Sequence, residues 1–371
     1  MRIVPVNIPL VDKADIDAVA TAMQAGWISG ESPIISDFET NFANLCNRKH
    51  GVAVTNGTAA IELVIHSLNF GPGDEIIVPS FAIISCVSQI LRCGARPIFI
   101  DSDPSTWNID TQAIENWITP RTKAILAVHT YGLPVDMDPL IEIAERHGLV
   151  VIEDAAESHG LRYKGRQCGS FGMASIFSFY ANKHLTTGEG GMVVTDDEAL
   201  AEKLRYFRNL TFQSDKRFVH NDLGWNMRMS SLQAAMGSSQ LLRLSEILER
   251  RRILAKRYHE AFQDLPHIQL PLTHATYSVN NYWVFGMVLR GDRANCRPEI
   301  QARLAEVGVG TRPFFWPLHL QPVLAKFGIH NHPSLPVSEN LGVNGFYIPN
   351  GLGMTDSDIE YVIAQVHKIL K

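Results

Sequence analysis

Apolar residues form short, regularly spaced blocks along the first half of the chain. Between about residues 50 and 195, β-branched runs alternate with segments of helical periodicity. This alternation is typical of βαβ units around a mainly parallel sheet. It predicts seven strands, over residues 52–54, 75–78, 97–100, 124–128, 149–152, 174–179 and 191–194. We therefore expect an α/β protein with one large seven-stranded sheet.

Helical spacing dominates on both sides of this region. Apolar residues from Ile34 to Leu45 recur at helical spacing, and Ser36 with Glu39 is a candidate capping box. From Ser230 to about Phe262, the pattern predicts one long, charge-rich helix that connects two domains.

The remaining third of the chain predicts a smaller α+β domain. A strand is expected over residues 282–289, a helix over 297–306 and a capped amphipathic helix over 355–370. We expect a large domain over residues 1–245 and a small C-terminal domain over residues 246–371. With no flexible linker in the sequence, the two domains should pack tightly.

Composition limits the class of protein, its partners and the cellular compartment that we expect. The 371 residues are 46% hydrophobic, enough for a large core, and the net charge of -5 argues against a nucleic-acid partner. The five cysteines form no CxxC pair, which favours a reduced, cytoplasmic protein over a disulfide or zinc framework. No export signal or membrane-length apolar run is visible, so we expect no membrane partner.

Lys183 and Asp154 are the residues that most directly suggest chemistry. Lys183 follows the strand predicted over 174–179 and precedes a glycine-rich turn, while Asp154 ends the strand predicted over 149–152. Ligands of α/β proteins bind at such strand ends. A lysine amine to hold an aldehyde and a carboxylate against a ring nitrogen are what pyridoxal phosphate (PLP) requires. Alone, Asp154 would be interpreted as a helix cap or a surface ion pair.

The turn after the first predicted strand is a candidate phosphate site. Gly57 and Thr58 begin a helix there, and the free N–H groups and dipole of a helix N-terminus favour an anion. Side-chain donors such as Ser178 should add to this binding. On its own, the Asn-Gly-Thr turn would be interpreted as an ordinary N-cap.

Other catalytic motifs are missing from the sequence. It contains no phosphate-loop, dinucleotide-binding, serine-hydrolase or zinc-protease signature. The fourteen histidines are dispersed without ligand spacing, so no metal site is predicted. Among them, His159, His184 and His319 are the best candidates to line a pocket.

An ordered set of motifs gives the chain a close resemblance to a known family. The motifs are GWISG at 26–30, NGTAA at 56–60, GDEIIVPS at 73–80, EDAAE at 153–157, NK at 182–183, TTGEGGM at 186–192 and WNMRM at 225–229. In this respect the chain resembles the DegT/DnrJ/EryC1/StrS sugar aminotransferases, PLP enzymes of the aspartate-aminotransferase fold (fold type I). Within that family, TTGEGGM and TRPFFWPLH at 311–319 are most similar to members that aminate C4 of GDP-4-keto-6-deoxymannose with glutamate.

The resemblance implies a role for each matching residue. Lys183 would carry the cofactor as a Schiff base, Asp154 would face its ring nitrogen, and Gly57, Thr58 and Ser178 would hold its phosphate. Asn226 would reach the cofactor of a neighbouring subunit, which implies a homodimer with two shared active sites. The candidates for the sugar pocket are His184, Phe315 and His319, and core packing of the small domain is an equally good interpretation of Phe315 and His319.

Two positions depart from the usual family pattern. Ile83 stands where many relatives carry an aromatic residue that stacks on the cofactor ring, so only dispersion contacts are expected there. Glu157 stands where a glutamine often contacts the ring oxygen, and a carboxylate beside a phenolate is unfavourable unless it takes up a proton. Both are still assigned to the cofactor site.

The expected activity is a PLP-dependent transfer of the amino group of L-glutamate to a nucleotide-linked 4-keto-6-deoxy sugar, as in O-antigen and lipopolysaccharide biosynthesis. A PLP-dependent 3-dehydratase, a relative with histidine in place of the lysine, is the main alternative. A 3-aminotransferase acting on a dTDP or UDP sugar and a non-catalytic regulator with the same fold also remain open. The residues leave the nucleotide and the aminated carbon undecided.

Overall fold

The computed structural model describes residues 2–330 and 332–371. Within these residues the strands are β1 His50–Val54, β2 Glu75–Pro79, β3 Arg96–Ile100, β4 Thr122–Val128, β5 Val150–Asp154, β6 Arg162–Tyr163, β7 Arg166–Gln167, β8 Ala174–Ser178, β9 Gly191–Thr195, β10 Ile268–Gln269, β11 His274–Ala275, β12 Ser278–Val279, β13 Phe285–Leu289, β14 Arg312–Pro313 and β15 Gly345–Ile348.

The α-helices are α1 Lys13–Gln24, α2 Pro33–Leu45, α3 Gly57–Ser67, α4 Ser85–Arg92, α5 Met137–His147, α6 Glu198–Arg208, α7 Ser231–Leu242, α8 Leu244–Phe262, α9 Arg297–Glu306, α10 Pro336–Asn344 and α11 Asp356–Leu370. Short 3-10 helices cover Ile114–Trp117, Gly291–Arg293, Leu318–Leu320 and Pro322–Phe327. No helix in the described part of the chain combines the length and apolar character needed to cross a membrane.

All seven predicted strands form the large sheet, in the order β1-β9-β8-β5-β4-β2-β3. Every neighbouring pair is parallel except the two that involve β9, which runs antiparallel to β1 and β8. The strands read as nearly continuous apolar runs because helices cover both faces of the sheet. The predicted seven-stranded, mainly parallel α/β fold is confirmed.

The single long helix predicted over residues 230–262 is wrong. The chain breaks at Arg243, which ends α7 and precedes α8. Its guanidinium contacts the carboxylates of Asp12 and Asp15, with 2.7 Å between Nη2 and the Asp15 oxygen. The apolar spacing continues across the break, so periodicity alone could not reveal it.

The capping box predicted for α2 is also wrong. The helix begins earlier, with Pro33 in its first turn, where the fixed φ of proline suits a helix start. Glu39 is buried instead, and its carboxylate accepts the backbone N–H of Ala53 at 2.8 Å and pairs with Arg208. These contacts tie α2 to β1.

A smaller antiparallel sheet, in the order β10-β13-β15-β14, forms the core of the C-terminal part. Its central strand, β13, begins at Phe285, three residues later than predicted. The predicted helices are confirmed as α9 and α11, and α11 has the expected capping box at Thr355.

Two apolar cores meet along α8. Leu244 and Leu248 pack with the residues beneath the large sheet, whereas Tyr258 and Phe262 pack in the C-terminal core. Val4 joins this second core and forms a bridge with Val309, so the chain around Val4 packs against the C-terminal part. The domain boundary between residues 245 and 246 stays a prediction, and it falls at the start of this shared helix.

The side chain of Glu153 lies on the face of the large sheet opposite that of Asp154, because successive strand residues point to opposite faces. Its buried carboxylate interacts with four donors: His129 Nε2 at 2.8 Å, Gly169 N at 2.7 Å, Phe171 N at 3.0 Å and Ser175 Oγ at 2.6 Å. With Cys168, Glu153 and His129 form a compact group of metal-type ligands. The carboxylate oxygens are already occupied by these donors, so we assign the group to the fold.

Replacing Glu153 with alanine should lower the free energy of unfolding by about 3 to 5 kcal/mol, as expected when a buried charged partner is removed. Several buried donors would lose their acceptor at once. Chemical denaturation of both proteins measures the difference. Glu145→Ala, at an exposed position on α5, is the matched control and should change stability little. An equal effect of the two substitutions would contradict this role.

Candidate active site

A cavity of about 670 Å³ opens at the carboxyl ends of β1, β4, β5 and β8. Parallel strands bring the residues that follow them together at this edge. The cavity contains eight of the predicted site residues, namely Gly57, Thr58, Ile83, Asp154, Glu157, Ser178, Lys183 and Phe315. Residues far apart in sequence therefore share one site.

Lys183 projects a buried amine into this cavity. Its Nζ lies 3.6 Å from a carboxylate oxygen of Glu157 and 3.8 Å from the ring centre of Trp283. Burial lowers the pKa of Lys183, although the charges of Glu157 and Asp154 partly oppose the change. A lowered pKa increases the fraction of neutral amine, the form that attacks a carbonyl or accepts a proton.

Asp154 lies at the end of β5 and is also buried. Its carboxylate accepts the backbone N–H of Ala156 at 3.1 Å and the thiol of Cys86 at 3.3 Å. Burial raises its pKa, while these donors and the charge of Lys183 act in the opposite direction. Since Asp154 has no ion pair among the described residues, its carboxylate remains available for a cationic group in the cavity.

The turn between β1 and α3 has the features of an anion site. Asn56 caps the helix by accepting the N–H of Ala59 at 2.8 Å, and the N–H groups of Gly57 and Thr58 have no acceptor in the described part of the chain. A Cβ atom on Gly57 would lie 3.0 Å from the Cβ of Ser178. Glycine therefore lets the helix start approach Ser178 closely, leaving free N–H groups beside a hydroxyl.

These residues fit PLP. The buried amine, the unpaired carboxylate and the anion-binding turn supply three of the contacts that the cofactor needs. Ile83 is 42% exposed at the cavity and supplies apolar surface, but no aromatic face. Glu157 accepts the N–H of Tyr131 at 2.9 Å, and its burial raises its pKa to about 7, with Lys183 opposing the rise.

Comparison with known proteins places this site in a family. The sequence matches the DegT/DnrJ/EryC1/StrS aminotransferase family over residues 9–367. The chain belongs to this family. The enzyme is therefore an aminotransferase, and aminotransferases of this family depend on PLP.

Individual relatives resemble the aminotransferase over almost its whole length. A GDP-perosamine synthase of Caulobacter vibrioides is 39% identical and covers 99% of this chain and 98% of its own. A GDP-perosamine synthase of Escherichia coli O157:H7 is 34% identical, with 99% of both chains covered. The crystal structure of the aminotransferase TlmJ from Streptoalloteichus hindustanus superposes with a TM-score of 0.93 at 30% identity, covering 99% of each chain.

Three predicted site residues of the aminotransferase lie outside the cavity. His184 is buried and does not line it, and its Nε2 lies 3.0 Å from the carbonyl oxygen of Asn281. His319 contacts Ser80 Oγ at 2.6 Å and Glu339 at 3.3 Å. Asn226 lies on the loop before α7 and does not line the cavity of its own chain.

Trp283 and Tyr347 line the cavity but were not predicted from the sequence. Trp283 lies under the amine of Lys183, and its indole N–H donates to the carbonyl oxygen of Asn182 at 3.1 Å. Tyr347 belongs to β15 of the smaller sheet. Because both come from the C-terminal part, no local motif connects them to Lys183.

Glu157 should make the stability of the cofactor-free aminotransferase depend on pH. Because folding raises its pKa to about 7, its protonated form stabilises the fold at low pH, and this contribution is lost as the pH rises through that value. Glu157→Gln does not titrate. As the pH rises from about 5 to about 8, the free energy of unfolding of Glu157→Gln should therefore increase relative to that of wild type by up to about 3 kcal/mol.

Thermal unfolding of the two cofactor-free proteins across this pH range measures the effect. Glu145→Gln, which removes an exposed carboxylate, is the control and should follow the wild-type profile. A difference between Glu157→Gln and wild type that stays constant with pH would rule out titration of Glu157 in this range.

Proposed function

We propose that this aminotransferase transfers the amino group of L-glutamate to C4 of GDP-4-keto-6-deoxymannose, which gives GDP-perosamine. The observation that carries the aminotransferase chemistry is the buried amine of Lys183 in one cavity with the carboxylate of Asp154. Two relatives named GDP-perosamine synthase, at 39% and 34% identity over nearly the whole chain, support the choice of sugar.

Each residue or turn of the cavity would have a separate role in amine transfer. Bound PLP supplies an electron-accepting ring and a carbonyl group that exchanges amines. Lys183 would hold the cofactor and, once released, move a proton to and from the substrate at Nζ. Asp154 would keep a proton on the ring nitrogen. The turn at Gly57 and Thr58, with Ser178, would bind the phosphate.

The structure also bears on the alternative 3-dehydratase, which has histidine in place of the lysine. In this chain the amine of Lys183 lies in the cavity, whereas the adjacent His184 is buried and does not line it. A shift of one residue in the alignment would exchange these two side chains. The observed orientation favours the aminotransferase over the lyase.

A homodimer with shared active sites belongs to the same proposal. Asn226 does not line its own cavity, and its loop also carries Phe218 and Leu223, which are 80% and 90% exposed. An interface over this loop would remove both apolar side chains from water. We propose that a second copy covers this loop and receives Asn226 at its cofactor site, and that the enzyme is cytoplasmic, which its five free cysteines fit.

The function is tested with a panel of GDP-, UDP- and dTDP-linked ketosugars, PLP and nitrogen-15 glutamate. We expect the label at C4 of the GDP sugar, detected by mass spectrometry and located by NMR. A deoxygenated product without nitrogen would identify the lyase instead. Labelling of only a UDP or dTDP sugar, or at C3, would refute the proposed substrate while retaining the reaction type.

Shared sites predict that subunits of two impaired variants restore an intact site when they are combined. Lys183→Ala and Asn226→Ala subunits, unfolded and refolded together, should form mixed dimers with one intact site. Random pairing would give about a quarter of wild-type activity, because half of the dimers are mixed and each has one working site. Each variant refolded alone is the control. Activity that does not rise on mixing would contradict the exchange of Asn226.

A further inference from the structure

A second cavity, of about 440 Å³, adjoins the cofactor cavity. The two have four lining residues in common, namely Tyr180, Asn182, Trp283 and Tyr347. The other side of the second cavity is built by Val6, Asn7 and Pro9 and by residues of the C-terminal part, including Arg251, Arg312 and Asn350. A molecule bound there would therefore lie beside the amine of Lys183.

Arg251 is a buried cation without a partner. It lies on α8 and is only 1% exposed, yet it forms no hydrogen bond or ion pair with any residue that the structure describes. Arg48 is comparably buried, but its guanidinium contacts Asp196 at 2.8 Å and three backbone carbonyl groups. Buried charges are normally paired in this way.

The groups around Arg251 do not neutralise it. His184 is its buried neighbour, and burial together with the charge of Arg251 lowers the pKa of that imidazole well below its ordinary value. Burial lowers the pKa of Arg251 to about 9, so the guanidinium stays charged at neutral pH. No Asp or Glu of the described residues lines this cavity, whereas Arg312 adds a second positive charge.

We propose that the second cavity binds an anionic group of a substrate, with Arg251 as its buried ligand. This inference rests on the proposed function, which supplies two candidate anions: the carboxylates of L-glutamate and the diphosphate of the nucleotide sugar. A guanidinium binds either group through paired hydrogen bonds.

The position of the cavity favours the carboxylate. An amino donor must present its nitrogen at the position of the Lys183 amine, and its carboxylates are only a few bonds away. Asn182 precedes Lys183 in the chain, and the ring centre of Trp283 lies 3.8 Å from the Lys183 Nζ. These two residues, which line both cavities, are therefore next to the reacting centre. The side-chain oxygens of Asn182 and Asn350 accept no hydrogen bond from any residue that the structure describes, which suits a bridging water of a polar ligand.

Binding to the holoenzyme tests the proposal without turnover. Glutarate has the two carboxylates of glutamate but no amine, and GDP has the diphosphate without the sugar. We expect calorimetry to show that Arg251→Met weakens glutarate binding about 10- to 100-fold, as for loss of charged hydrogen bonds. Arg251→Lys should have a smaller effect. Arg252→Met, one residue along α8 and outside this cavity, should bind glutarate like wild type.

Each outcome decides a different point. A loss confined to GDP would retain the anion site and assign it to the nucleotide sugar, whereas unchanged binding of both probes to Arg251→Met would overturn the proposal. If Arg251→Met does not fold, a crystal structure of the wild-type holoenzyme with glutarate decides, and glutarate bound away from Arg251 refutes the site. Failure of wild-type holoenzyme to accept nitrogen from glutamate would instead refute the proposed function.

Discussion

Lys183→Ala should abolish amine transfer and covalent attachment of PLP. Lys183 supplies the only side-chain amine among the described residues that line the cavity, so both the anchor and the proton-transfer group would be lost. Loss of general acid–base catalysis alone costs about 10²- to 10⁴-fold in rate, and loss of the anchor adds to this. Product formation is measured with glutamate and ketosugar, and attachment by borohydride reduction followed by mass spectrometry of the intact protein.

Lys183→Arg is the informative companion, because it keeps the positive charge but cannot condense with an aldehyde. It should lose the visible absorbance of the bound cofactor as Lys183→Ala does. Lys164→Ala, which removes an exposed lysine paired with Asp138, is the surface control and should keep full activity. Visible absorbance retained in Lys183→Arg but lost in Lys183→Ala would contradict covalent attachment at this residue.

The Lys183→Ala protein should still fold, so its loss of activity can be interpreted. Removing the amine leaves Glu157 without its nearest cation. Burial already raises the pKa of this carboxyl group to about 7, and without the opposing charge it would remain protonated to higher pH. A neutral Glu157 is tolerated in the cavity, and far-UV circular dichroism of the variant should match that of wild type.

The large sheet was predictable because its strands are buried on both faces and appear as separate apolar runs. The elements that the sequence did not predict depend on tertiary contacts. The break between α7 and α8 occurs where Arg243 binds Asp12 and Asp15, more than two hundred residues away in the chain. The sequence assigned Glu39 to a local cap, but its carboxylate oxygen Oε1 accepts hydrogen bonds from the backbone N–H of Ala53 and from Arg208.

The residues of the site likewise divide into those that local sequence predicts and those that depend on tertiary contacts. Residues at or just beyond strand ends, such as Asp154 and Gly57, could be predicted because the carboxyl ends of parallel strands lie at one edge of the sheet. Trp283, Tyr347 and Arg251 come from the C-terminal part, and only the packing of the two cores brings them to Lys183. His184 shows the opposite limit: it is adjacent to Lys183 in sequence, yet it does not line the cavity and its imidazole contacts the carbonyl oxygen of Asn281.

Asp154→Asn should reduce the catalytic rate constant by on the order of 10²-fold or more, the scale for removing one preorganised electrostatic partner. Asparagine is nearly the same size and can still accept the N–H of Ala156, so the strand end should keep its shape. It has no negative charge, however, and cannot keep a proton on the ring nitrogen. The affinity for PLP should change much less, because Lys183 and the turn at Gly57 hold the cofactor independently.

Steady-state kinetics and a PLP titration of the cofactor-free protein separate the two effects. Asp138→Asn, at an exposed carboxylate on α5, is the matched control and should leave both quantities unchanged. Asp154→Glu retains the charge on a longer side chain and should recover part of the lost rate if the charge is what matters. A variant Asp154→Asn with normal turnover but weak PLP binding would show that this carboxylate anchors the cofactor rather than tuning it.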